Sequence, residues 1–319
     1  MVSMRNLNFA FLTLVFLISS STGVWAQRNL SPVSLVPDKC VAVIRVSWTQ
    51  VRNNEKLKRI VNGDNFAKIE NEIGLNDSQV TEWVIFSDIQ ATSVAGLGII
   101  IAGSFTSQAV IQNAKTKNWK SERIGTSAVY VNPTDNSVLL PLRNGLLGYG
   151  SRAGIEKLKS GLSRPQKNLI SKPPFNQTWA ELFAARQPIA FMIGIPQGYE
   201  RIAGIGYKIA AKLMNLASFG IIGTVMETIG LVRCVGFAIA HRERVFPTNL
   251  VAMMEDEGTA WLTSGAVNLL KKAPSAIGVR PKTEEELKML ESVQTLSANY
   301  KGSLLSVKFN MPESSLQSR

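Results

Sequence analysis

The chain has 319 residues and a formal net charge of +12, with 45% hydrophobic and 18% charged residues. That balance belongs to globular chains and excludes an intrinsically disordered one. A single histidine, His241, and two cysteines, Cys40 and Cys234, exclude any site that needs two histidine ligands and make a Cys/His zinc site implausible.

Residues 1–26 read as a secretory leader: Arg5 in the n-region, an apolar h-region over 9–18, and small residues Val24 and Ala26 before a cleavage point at Gln27. Ten apolar residues rise only about 15 Å as a helix, half a bilayer core, so a spanning anchor is not expected there or later in the mature chain. No cysteine follows the h-region to carry a lipid anchor. The expected location is therefore periplasmic or extracellular. Cleavage leaves about 290 residues, enough for two ordinary domains.

After a polar lead-in, strand character begins at Val41, Val43, Ile44 and Val46, apolar on both faces as in a doubly covered strand. Leu57, Ile60, Val61, Phe66, Ile69 and Ile73 then recur at three- and four-residue spacing, and Gly74 closes that helical stretch. Strands are predicted over 83–86 and 97–103. Thr106 opens a helix bearing Val110, Ile111 and Ala114. Strands over 128–131, 137–142 and 146–149 form a meander, and Ser151 caps a helix with Ile155, Leu158 and Leu162 as its buried stripe. Pro165, Pro173 and Pro174 break the rhythm over 163–176, which reads as a linker between a first domain at 27–162 and a second at 177–319.

The order then restarts. A short helix over 179–185 precedes a strand over 189–195 and a long helical region over 199–229. The strand over 231–240 puts Val235, Phe237 and Ile239 on a bulky face. Cys234, Gly236, Ala238 and Ala240 form the other, small enough for a helix to pack close. A strand over 248–254 follows, then a helix with Leu262, Ala266, Leu269 and Leu270 on one side. Asp256 and Glu257 stand at its start and Lys271 and Lys272 at its end, matching the helix dipole. Thr283 and Glu286 form a capping box for a helix that carries Leu287, Leu290, Val293 and Leu296 inward. A last strand covers 303–309. The fold class expected is α+β: two repeated units of largely antiparallel sheet, covered by helices on one face, with ferredoxin-like character.

Val36-Pro37-Asp38 before the first strand, Gly103-Ser104-Phe105 at a strand-to-helix junction, Gly150-Ser151-Arg152-Ala153-Gly154 and the closing Met311-Pro312 resemble uncharacterised exported bacterial proteins that begin with a leader. The resemblance implies the two-repeat α+β architecture and carries no activity or site residue.

No constellation for chemistry stands out, and no catalytic residue, cofactor or metal is expected. The chain has no G-x-S-x-G elbow, and His241 reads as an exposed turn histidine beside Arg242 and Arg244. Gly148, Gly150 and Gly154 follow G-x-G-x-x-x-G, one residue longer than the dinucleotide fingerprint, and no G-K-[ST] follows. Outside the cytosol Cys40 and Cys234 could pair, closing a loop worth about 5 kcal/mol. The alternative is two buried thiols. Over 199–229, Arg201, Lys208 and Lys212 share one helical sector, with Ile202, Ile205, Ile209 and Leu213 opposite and beside them. That pattern fits contact with anionic lipid or another envelope polyanion, and equally a core helix with a solvated face. No specific nucleic-acid contact is expected. Three functional readings stay open: a non-enzymatic binding or structural protein of the envelope, a lipid-surface protein using 199–229, and a hydrolase with dispersed carboxylates.

Overall fold

The computed structural model describes residues 31–87, 96–162, 168–184, 187–194, 232–271 and 284–313. Its frame is a sheet of twelve strands, β1 (Ala42–Ser47), β2 (Val80–Ser87), β3 (Gly98–Gly103), β4 (Lys120–Ile124), β5 (Ser127–Val131), β6 (Val138–Arg143), β7 (Leu146–Gly150), β8 (Ile189–Gly194), β9 (Val232–Ile239), β10 (Val245–Met254), β11 (Ser297–Lys301) and β12 (Leu304–Pro312). They lie side by side in the order β11-β12-β10-β9-β8-β1-β2-β3-β7-β6-β5-β4. Each neighbouring pair is antiparallel. The α+β class with a large antiparallel sheet is thus as the sequence predicts.

The pair β1·β8 joins the spans 27–162 and 177–319 into one sheet. The described part of the Pro-containing stretch is a packed strap. Leu169 is buried and its N–H donates to Val36 O, and the Pro173–Pro174 bond is cis.

Helices lie on both faces, which corrects the expectation of one covered face. The first face is covered by α1 (Trp48–Val51), α2 (Glu55–Ile60), α3 (Gly63–Ile73), α4 (Ser107–Thr116), α7 (Glu257–Leu270) and α8 (Glu284–Gln294). The second carries α5 (Arg152–Leu162), α6 (Phe175–Ala184) and the 3-10 turns at Pro32–Leu35 and Leu169–Ser171. The cause is in the strands. Ile99 and Ile101 bury on one face and Ile100 on the other, so β3 needs apolar partners above and below.

Local signals act where they stand. Asn54 and Thr106 accept from the N–H groups of Leu57 and Ala109 at the starts of α2 and α4, Ser151 from Gly154, and Asp256 from Thr259. Gly74 ends α3 at φ +75°, where an L side chain is strained. A Cβ on Gly154 would sit 2.3 Å from Leu97 O. The glycine spacing at 148–154 thus serves the approach of α5 to β3. On β9, Gly236 leaves room for Leu182 of α6, whose Cδ1 lies 2.4 Å from where a Cβ would stand.

The inward assignment of Leu287 is corrected, and the apolar side of α7 faces out. Leu262 and Leu269 are 56% and 66% exposed, and Leu287 is 45% exposed, although Val293 and Leu296 do bury. The small face of α7 is the one that packs: Ala260, Thr263, Ser264 and Val267 are buried. Hydrogen bonds hold that face down, Ser264 Oγ and Asn268 Nδ2 donating to Ala298 O of β11 while Asn268 Oδ1 accepts from Ala298 N. Strands β4 and β11 are the sheet's two edges. Neither carries the run of apolar residues that marks the inner strands.

Candidate functional site

The register of the four central strands places one apolar row across the first face. Ile85 of β2 faces Ile44 of β1, Ile44 faces Phe191 of β8, and Phe191 faces Phe237 of β9. Phe191 and Phe237 pack with ring centroids 5.2 Å apart. One step along, Val46 faces Ile189. The row continues outward to Ile99 and Leu250, both buried. Its four central members are only half-buried.

Between them and Ile60, Val61 and Phe66 lies an open cavity of about 270 Å³, lined by these residues with Ile189 and Val46. Among the described residues, no polar or charged side chain lines it. Phe66 anchors one wall through an aromatic cluster, 4.7 Å from Trp83 and 5.2 Å from Trp48. Trp48 Nε1 donates to Asp77 Oδ1 at 2.6 Å. Such a trough can exclude water and hold hydrocarbon, and its described lining carries no nucleophile, base or metal ligand. It is close to the ~300 Å³ lower end of small-molecule sites.

Ionisable groups gather elsewhere. Glu70, 4% exposed on α3, has its carboxyl pushed up to about 7 by burial first and by Asp77 second. Glu72 accepts from Asn132, Ser137 and Tyr149, and burial pushes the Tyr149 phenol up. His241 is not an exposed turn residue: its side chain is 15% exposed. Asn54 Oδ1 is used by the α2 cap, so its Nδ2 donates to His241 Nδ1 at 3.0 Å. The ring's other nitrogen is then the protonated one, 3.6 Å from Glu313. Lys56, hydrogen-bonded to the Glu313 carboxylate, holds that carboxyl below its usual value. The cluster ties α2 to the end of β12.

Cys40 and Cys234 are free and buried, and burial pushes both thiols up to about 12. Gly194 of β8 sits between Val41 and Cys234, its N–H donating to Val41 O while it faces Cys234 in register. Cys40 and Cys234 stand in the structure as two separate buried thiols. Asp256 caps α7 as its position predicts. Arg201, Lys208 and Lys212, with the whole of 199–229, lie outside the described residues, as do the leader and Thr283.

The sequence showed Val46, Phe237 and the spacing of Ile60, Val61 and Phe66. Their convergence needed the β1·β8 pairing, which no local signal announces.

No family model matches the chain, and no curated protein matches it. The chain is similar in fold to crystal structures of TP0453. Crystal form I gives a TM-score of 0.50 at 12% identity, covering 91% of this chain and 96% of that one. Form III gives 0.49 at 11% identity over 91% and 98%. At 12% identity the likeness to form I is one of fold alone.

Proposed function

We propose that the chain is a non-enzymatic binding protein of the cell envelope, exported by its leader, and that the central trough takes the hydrocarbon part of an apolar or amphipathic ligand. The observation that carries this reading is the half-buried row Ile85, Ile44, Phe191 and Phe237 beneath a cavity of about 270 Å³ whose described lining is wholly apolar. Apolar area left open to water costs about 25 cal/mol per Å², which a bound chain of methylenes recovers at about 0.8 kcal/mol each. A hydrolase with dispersed carboxylates gains no support from this site, whose described lining includes no carboxylate.

The same proposal includes a duplication. Outward from the β1·β8 pair, the halves run β1-β2-β3-β7-β6-β5-β4 and β8-β9-β10-β12-β11, the first with two strands more. A long connection separates the first two strands of each. We read each half as an α+β unit of ferredoxin-like character, and the trough as lying where the two copies meet.

A fluorescent fatty acid titrated into the mature protein tests the assignment. Binding should saturate near one equivalent. It should weaken at least about tenfold, the effect of losing a few buried methylenes, in Phe237→Asp and in Ile60→Trp, which fills the trough from its wall. Saturable binding that both variants retain would refute it.

A further inference from the structure

We propose that the outward face of α7 docks on a bilayer that carries anionic lipid. This helix is turned inside out relative to an ordinary surface helix. Its small and hydroxyl residues Ala260, Thr263, Ser264 and Val267 are buried, while Trp261, Leu262 and Leu269 are 57%, 56% and 66% exposed. At 100° per residue the three large side chains fall within a sector about 100° wide, with Gly265 between them, opposite the buried one. Tyr300, 42% exposed on β11, stands on the same face of the sheet, because the buried Ala298 two residues earlier packs there. Trp, Tyr and Leu with lysines at the margin is the chemistry of a membrane interface.

Charge selects the bilayer over a second copy of the chain. The net charge is +12, and exposed Lys271 and Lys301 flank the end of α7 and the strand under it. Two such surfaces repel, whereas anionic headgroups neutralise them. Glu255, Asp256 and Glu257 sit at the opposite end of the helix, where Asp256 is occupied in capping. The C-terminal end, Leu269 to Lys271, is thus the end that enters.

The proposal deepens the trough reading, since α7 and the trough share the first face, but it is measured separately. The mature protein is sedimented with phosphatidylcholine vesicles, with and without phosphatidylglycerol. Binding should require phosphatidylglycerol and fall at least about tenfold in the triple variant Trp261→Ser, Leu262→Ser, Leu269→Ser, while fluorescent fatty acid binding stays at the parent's level. Vesicle binding unchanged in the triple variant would overturn the proposal. So would indifference to phosphatidylglycerol, or a parent dimer that the triple variant dissociates with no vesicle binding by either. Loss of fatty acid binding alongside vesicle binding would also overturn it, by placing these side chains in the fold rather than at a docking surface.

Discussion

Glu70 lies one turn beyond Phe66 on α3, and its Oε1 is buried with no hydrogen-bond partner. Because its pKa rises from 4.5 to about 7 on folding, the fold prefers the protonated form. The stability tied to that proton is fully present below about pH 4.5 and is lost as pH climbs through 7. Glu70→Gln should leave the melting temperature unchanged at pH 4 and raise stability by roughly 1–3 kcal/mol at pH 8. A scan showing equal gains at both pH values would contradict this. Single residues were unevenly legible in the sequence. Thr106, Ser151, Asp256 and Gly74 announce their roles by position. His241 does not, because its partners Asn54 and Glu313 are distant in the chain and only the folded sheet brings them together.

Among the elements, α7 shows where periodicity misleads. Its apolar residues fall on one side, and hydrophobicity alone assigns that side to the core. The hydrogen bonds of Ser264 and Asn268 to Ala298 reverse the assignment, since a buried edge-strand backbone must find partners. Asn268→Ala strands the Ala298 N–H and removes one donor to its carbonyl. It should cost about 2 kcal/mol, read as a lower urea midpoint with faster amide exchange at Ala298. No change at that amide would show that α7 is held by other means. The strands β4 and β11 escaped the sequence for a related reason. Lys120–Ile124 and Ser297–Lys301 are edge strands with mostly exposed side chains, so they lack the apolar alternation that marks β3 or β9.

For the whole molecule, the strand order is the decisive fact. Twelve antiparallel strands bury apolar side chains on both faces, and each core draws residues from both halves of the chain. The sequence supplied most strands and helices and the close packing against Gly236. It could not supply β1·β8, because pairing between strands some 140 residues apart leaves no mark in either one. That pairing builds the trough, and the trough carries the functional reading. A crystal of the mature protein grown with a bromine-labelled fatty acid tests that reading most directly. The account predicts anomalous density for bromine against Phe191 and Phe237, lost in Phe237→Asp. Bromine bound elsewhere on the molecule, or an empty trough at saturating ligand, would contradict it.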